Sequence, residues 1–168
     1  MKGSIYVSTL ALLCFTITSA QAFCFAQASR RYGVDEQLLI AIAKVESNFN
    51  PKAIHVNTDL TEDVGLMQIN SSLLPALEKH NITRKDLLDP CTSANLGAWV
   101  LAQSIRYFGS TWRAVGGYGA GLIPRKEAGR QIYANKVQHA LTQVKAGVFT
   151  KRLSKIALTE PTFQVSQW

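Results

Sequence analysis

The sequence is poor in the residues on which metal and nucleophile chemistry most often depends. Its histidines, His55, His80 and His139, lie far apart, and no His-Glu-x-x-His pair occurs. Neither a Gly-x-Ser-x-Gly elbow nor a glycine-rich phosphate loop is present. Acidic and polar residues alternate at 59–63 as in a calcium loop, but the turn glycine and the closing glutamate are missing. We therefore expect neither a metal ion nor a cofactor.

Long apolar runs are also scarce, and the main one lies at the N-terminus. Lys2 precedes a mostly apolar stretch at 5–17, and the small residues at 20–22 suit cleavage by a signal peptidase. The stretch contains several serines and threonines and is shorter than the roughly 20 apolar residues of a membrane-spanning helix. We expect a signal peptide at residues 1–22, a periplasmic mature chain and no transmembrane segment after cleavage. An uncleaved membrane anchor is the alternative.

Acidic residues are few relative to basic ones. The chain has 11 Asp and Glu against 18 Lys and Arg, a net charge of +7, and removal of residues 1–22 leaves 146 residues with a charge of +6. This length suits one domain. A basic exported protein can meet nucleic acid, anionic lipid or the carboxylates of the cell wall. Because the charge is dispersed and no basic recognition helix is evident, we expect no nucleic-acid partner.

Cysteine is rare as well. Of three cysteines, Cys14 lies within the expected signal peptide, so the mature chain keeps Cys24 and Cys91. An even pair in an oxidising compartment favours one disulfide bond. We predict that it fastens residue 24 to the start of a long helix.

Patterns typical of strands are scarce, whereas apolar residues recur at helical spacing nearly throughout, so we predict a mainly α fold. Asp35 can cap the first clear helix, and Asp89 followed by Pro90 marks the start of the longest one. Residues 52–64 have the composition of a polar loop, and the glycines of 116–121 indicate an interruption with close backbone approach. We predict helices at 35–47, 65–81, 89–108, 112–115 and 128–145.

Four aromatic residues lie in or beside the predicted helices. Aromatic rings can stack on sugars, but these accompany apolar residues such as Leu101 and Ile105, so we predict that they pack in the core. The four are Trp99, Tyr107, Phe108 and Trp112.

Glu46 is the most informative single position. It follows Ile42 by four residues and Leu39 by seven, and so continues the apolar stripe of its helix. Loss of water and the negative end of the helix dipole both raise the pKa of a carboxyl there, which suits a general acid near neutral pH. The alternative is a carboxylate that edges the core or pairs with a cation.

Four sequence motifs, in order along the chain, carry a family resemblance. They are Val45-Glu46-Ser47-Asn48-Phe49-Asn50-Pro51, Gly65-Leu66-Met67-Gln68-Ile69-Asn70, Tyr118-Gly119-Ala120-Gly121 and Tyr133-Ala134-Asn135-Lys136-Val137. Over residues 23–145 the chain resembles the catalytic domain of soluble lytic transglycosylases. Its size and paired cysteines are similar to the short members that accompany specialised secretion, conjugation and pilus systems.

The resemblance implies a fold and a set of site residues. The fold is a lysozyme-like helical domain, similar to goose-type lysozyme, with a saccharide-binding cleft. We assign residues 23–147 to the catalytic domain and 148–168 to a C-terminal tail. Glu46 would be the single acid and base. The substrate-binding residues would be Ser47, Gly65, Met67, Gln68, Asn70, Tyr118 and Tyr133.

The resemblance also implies the reaction. The substrate is the glycan strand of peptidoglycan, cut between N-acetylmuramic acid and N-acetylglucosamine to leave a 1,6-anhydromuramyl end. Many relatives have Ala-Tyr-Asn-Ala-Gly where this chain has Gly117-Tyr118-Gly119-Ala120-Gly121. The amide side chain is absent here, and Gly119 allows closer approach instead.

Two other functions fit the same residues. A lysozyme uses a second carboxylate, and Asp63, two residues before Gly65, is the best placed candidate among Asp59, Glu62 and Asp63. An acidic surface turn is the structural alternative for Asp63. A non-catalytic peptidoglycan-binding adaptor of an envelope-spanning machine is the other function, although Glu46 and Ser47 argue against it.

Overall fold

The computed structural model describes residues 22–149, and this part of the chain is mainly helical, as predicted. The helices are α1 Phe25–Tyr32, α2 Glu36–Ser47, α3 Leu74–Leu77, α4 Pro90–Phe108, α5 Trp112–Ala120 and α6 Glu127–Lys145. The strands are β1 Ile54–Val56, β2 Glu62–Val64 and β3 Ile69–Asn70. Nearly all of the expected signal peptide and tail lie outside the described residues. Within 22–149 no helix has the length and apolarity to cross a membrane.

The predicted helix starts are confirmed by their caps. The Asp35 side chain accepts a hydrogen bond from the Leu38 amide at 2.7 Å at the start of α2. Asp89 accepts one from the Thr92 amide at 2.7 Å, with Pro90 in the first turn of α4. These side chains satisfy amides that have no partner inside the helix.

The core is organised around α4 and α6. Helix α4 packs against α1 and α5, while α6 packs against α2 and α5. The predicted disulfide bond is present and joins Cys24, just before α1, to Cys91 in the first turn of α4. At the other end of the described chain the Phe149 ring packs edge-on against Phe49, with centroids 5.5 Å apart.

The prediction of a polar loop at 52–64 is wrong in part. Strands β1 and β2 form an antiparallel hairpin in which His55 lies opposite Asp63, and β3 pairs with the other side of β2. Residues 65–70 are accordingly a turn and a strand rather than the start of a helix, and the helical turns begin at Ser71. All three residues of β1 are exposed, and three residues are too few for an alternating pattern to indicate a strand.

The prediction that the glycine-rich segment interrupts the helix is wrong. Helix α5 runs through this segment to Ala120. The predicted close approach is confirmed. A Cβ on Gly116 would lie 2.4 Å from the Arg130 carbonyl oxygen, and one on Gly117 would lie 2.2 Å from Ser104 Oγ. The glycines therefore let α5 lie close to both α4 and α6.

The prediction that all four helix-associated aromatic residues lie in the core is wrong. Tyr107 and Trp112 are 62% and 41% exposed. Phe108 is half-buried beneath the guanidinium groups of Arg113 and Arg130. The fourth, Trp99, lines a cavity.

Candidate active site

A cavity of about 570 Å³ lies between the three-stranded sheet, α4 and α5, with the end of α2 at its wall. Helices, strands and connecting segments all contribute to its lining. The lining includes Glu46 from α2, Asp63 and Asn70 from the sheet, Trp99 and Gln103 from α4, and Tyr118 from α5.

Glu46 lies in the last turn of α2 and is half-buried. The Tyr133 hydroxyl donates a hydrogen bond to its Oε1. Burial raises the pKa of Glu46 to about 7, and the negative charge of Asp63 acts in the same direction, while the Tyr133 hydrogen bond and the positive charge of Lys136 oppose it. A carboxyl with a pKa near 7 is suited to give up or accept a proton at neutral pH.

Two tyrosines, Tyr118 and Tyr133, lie close to this carboxyl. The rings of Tyr118 and Tyr133 are stacked, with centroids 6.2 Å apart and an interplanar angle of 24°. Burial raises the pKa of both well above the usual value for a tyrosine, so both hydroxyls stay protonated and act as donors. Tyr118 donates to the Met67 carbonyl oxygen at 2.7 Å. The proton between Tyr133 and Glu46 consequently belongs to the tyrosine.

Asp63 is held by a network of neutral side chains. Its Oδ2 accepts from Asn57 Nδ2 at 3.0 Å, and its Oδ1 accepts from Asn70 Nδ2 at 2.8 Å. Both amides also donate to Thr61 Oγ1, at 3.1 and 3.0 Å, and Thr61 in turn donates to Asp59 at 2.7 Å. These bonds orient a charged carboxylate in the same cavity as Glu46.

Of the predicted substrate-binding residues, Gln68, Asn70 and Tyr118 line the cavity. Gln68 is at the same time engaged, because its Nε2 donates to the Gly65 carbonyl oxygen at 2.9 Å and to the Ala53 carbonyl oxygen at 3.2 Å. Its carboxamide therefore ties the 65–68 turn together and links it to Ala53.

The remaining predicted residues lie behind this surface and support it. Ser47 Oγ donates to the Leu66 carbonyl oxygen at 2.7 Å, which fixes the 65–68 turn to the end of α2. Gly65 has a φ of +82°, and a Cβ there would lie 2.0 Å from the Leu87 carbonyl oxygen. Met67 is fully buried. Tyr133 is not among the cavity-lining residues; it contacts the site through its ring stacking on Tyr118 and its hydrogen bond to Glu46.

One arginine that sequence reasoning missed holds a wall of the cavity. Arg130 is 1% exposed, and its guanidinium donates to the carbonyl oxygens of Gly121, Ile123 and Pro124 at 2.8, 2.9 and 3.1 Å. Its Nε and Nη2 also bind the Glu127 carboxylate, at 2.9 and 2.6 Å. The loop between α5 and α6, which carries cavity residues, is thus tied down by side-chain bonds. A basic residue at helical spacing from Val137 and Ala134 was the available signal.

Asn57, Trp99, Gln103 and Lys126 also line the cavity and were missed as site residues. Trp99 and Gln103 are four residues apart and hence on one face of α4. A tryptophan and a polar residue on one face of a buried helix indicate a cavity-facing side, whereas Asn57 and Lys126 lie in segments without any such pattern. Within residues 22–149 no three His, Cys, Asp or Glu side chains are placed to hold one metal ion.

Comparison with known proteins agrees with this geometry. The family model "Transglycosylase SLT domain" matches residues 23–141. The chain is 39% identical over 153 residues to "Invasion protein IagB" of Salmonella typhi, covering 89% of this chain and 96% of that protein. It is 35% identical over 136 residues to "Protein IpgF" of Shigella flexneri, covering 80% and 90%. It is 33% identical over 157 residues to "Peptidoglycan-binding-like protein" of Escherichia coli O157:H7, covering 89% and 94%.

The family model spans both the helix that carries Glu46 and the helix that carries Tyr133, and most of each relative is matched. The family has a lysozyme-like fold, in agreement with the helical domain and the small sheet beside its cavity. On these grounds the chain belongs to the transglycosylase SLT domain family.

Proposed function

We propose that this protein is a lytic transglycosylase that cleaves peptidoglycan glycan strands, with Glu46 as its acid and base. The observation that carries the proposal is a half-buried carboxyl with a pKa of about 7 in the wall of a 570 Å³ cavity. General acid–base catalysis is most efficient when the pKa of the group lies near the working pH.

Protonated Glu46 donates its proton to the oxygen of the bond between N-acetylmuramic acid and N-acetylglucosamine. That bond breaks through an oxocarbenium-like state, which the muramyl N-acetyl group helps to stabilise in the family's chemistry. Ionised Glu46 then removes the proton of the sugar's own 6-hydroxyl, and a 1,6-anhydro ring closes without consuming water. Because Tyr133 occupies Oε1, Oε2 is the oxygen that carries this proton.

The position of Asp63 favours one second candidate, a hydrolytic lysozyme. Asp63 lies in the same cavity, and its charge raises the pKa of Glu46, so the two carboxyl groups interact electrostatically. A carboxylate opposite the acid stabilises an oxocarbenium ion or attacks it. In a hydrolase, water would replace the 6-hydroxyl and the product would have a reducing end.

The setting that we propose is the periplasm, reached through the N-terminal signal peptide. The disulfide bond between Cys24 and Cys91 supports an oxidising compartment. One relative is named an invasion protein and another a peptidoglycan-binding-like protein. These names support local opening of the cell wall for a secretion, conjugation or pilus apparatus, whose components would be the protein partners.

The deciding experiment is mass spectrometry of the fragments that the mature protein releases from purified peptidoglycan. We expect anhydromuramyl ends, lighter by one water than reducing ends, and none with Glu46→Gln. The matched control is Glu36→Gln, an exposed position on the same helix. Reducing ends would indicate a lysozyme with Asp63 as its second carboxylate, a role that Asp63→Asn would then test. Wall binding without release of fragments would indicate an adaptor.

A further inference from the structure

Gly119 lies on α5 where this helix meets the ring of Tyr133 on α6. An ideal Cβ at position 119 would lie 2.2, 2.3 and 2.6 Å from Cδ2, Cε2 and Cγ of that ring. Carbon atoms in contact are normally about 3.5 to 4.0 Å apart, so the ring fits here only because residue 119 has no side chain.

We propose that Gly119 is a positioning residue: its missing side chain leaves the space in which the Tyr133 ring lies with its hydroxyl on Glu46. The inference deepens the proposed function and depends on it for its catalytic meaning.

The Tyr133 ring has little freedom to adjust. Tyr118 stacks on it, its hydroxyl is bonded to Glu46, and the backbone of α6 is fixed against α2 and α5. Rotation about the Cβ–Cγ bond leaves Cγ and the hydroxyl oxygen in place and cannot relieve the contact with Cγ. A methyl group at position 119 must therefore displace the ring as a whole, and this displacement shifts the hydroxyl away from the Glu46 carboxyl. The contact involves the rigid ring atoms and not the flexible end of a long side chain.

The electrostatics of Glu46 make this movement measurable. The titratable groups that face Glu46 are Tyr133 and Lys136 from α6, Asp63 from β2 and Tyr118 from α5. Among these, only Tyr133 makes a hydrogen bond to the carboxyl, and that bond lowers the pKa of Glu46. Loss of the bond should raise the pKa, because the ionised form loses its donor.

The chain contains a matched control for the substitution. Gly129 is a helical glycine on α6 that faces α5, but a Cβ there would lie 3.4 Å from Ala120 Cβ, which is an ordinary contact. Gly119→Ala and Gly129→Ala thus make the same chemical change, and only the first collides with Tyr133.

The experiment is a carboxyl ¹³C NMR titration of the mature protein labelled at glutamate, with the Glu46 signal assigned by its loss in Glu46→Gln. We expect Gly119→Ala to raise the pKa of Glu46 by about one pH unit, the size expected for the loss of one charge-assisted hydrogen bond to the ionised form. Tyr133→Phe should raise it similarly, and Gly129→Ala should leave it unchanged. Because this readout requires no turnover, it stands even if the proposed reaction is wrong.

The decisive comparison is made in the Tyr133→Phe background. There the hydroxyl is already absent, so adding Gly119→Ala should not raise the pKa of Glu46 further, although the collision with the ring and its cost in stability remain. An unchanged pKa in Gly119→Ala, or an equal rise in both backgrounds, would overturn the inference. If turnover is present, the alkaline limb of the pH–rate profile should move to higher pH by the same amount.

Discussion

The raised pKa of Glu46 predicts that this carboxyl destabilises the folded protein at neutral pH. The carboxyl is protonated below about pH 7 in the folded state and below its ordinary value of 4.5 in the unfolded chain. Between these values the folded state binds more protons, so its stability falls as the pH rises from about 4.5 to about 7. Replacement of Glu46 by Gln removes this titration.

The magnitude follows from the same pKa. A value raised from 4.5 to about 7 corresponds to about 3 kcal/mol once the group is ionised in both states. A domain of this size has a total stability of roughly 5 to 15 kcal/mol, so the effect is large enough to measure. We expect Glu46→Gln to match the wild type near pH 4 and to exceed it by about 3 kcal/mol at pH 8.

The assay is urea unfolding followed by circular dichroism at pH 4, 5.5, 7 and 8, with the disulfide bond intact. Groups that do not interact with Glu46 titrate in both proteins alike, so their effects cancel in the difference at each pH. Glu36→Gln, on the exposed first turn of the same helix, should show no such gain in stability. A difference that does not change with pH, or a Gln variant less stable than the wild type at pH 8, would refute the reasoning.

Three further outcomes are expected. If Glu46 must be protonated to act, kcat/KM should fall tenfold per pH unit above about pH 7; a rate that is constant to pH 9 would exclude it as the acid. Arg130→Lys cannot supply the same five hydrogen bonds, three to the α5–α6 loop and two to Glu127, and should lower stability by about 3 kcal/mol. Urea unfolding should detect this loss, and Glu127→Gln, at an exposed position, should cost clearly less. Replacement of both Cys24 and Cys91 by Ser removes a disulfide bond that spans 67 residues and should lower the free energy of unfolding by about 4 kcal/mol in the same assay. Reductant should then destabilise the wild type but leave the stability of the variant unchanged.

The sequence predicted the long helices well because their signals are local. Asp35 and Asp89 cap helices whose apolar stripes are long enough to be unambiguous, and both caps are present. The hairpin was missed because β1 and β2 have three residues each, fewer than an alternating pattern needs, and because Asp63 of β2 is held by hydrogen bonds from Asn57 and Asn70. Such a network has no period along the chain.

The site residues, too, were predictable from the sequence only in part. The motif residues could be named from a family pattern, but the pattern did not distinguish those that line the cavity, such as Asn70, from those that support it, such as Ser47. Arg130 acts on carbonyl groups of a loop up to nine residues before it. Backbone groups of this kind have no sequence identity to recognise, so only the structure reveals the contact.

Helix α5 has a low intrinsic tendency to form a helix and depends on its packing against other helices for its order. Three of its nine residues, Gly116, Gly117 and Gly119, are glycines, and each costs a helix about 1 kcal/mol relative to alanine. A nine-residue peptide of this composition would not hold a helix alone. Its order comes from α4 and α6, so Tyr118 reaches the Met67 carbonyl oxygen only when both neighbours are in place. Formation of the cleft is therefore tied to cooperative folding of the whole domain, and a partly folded chain has no competent site.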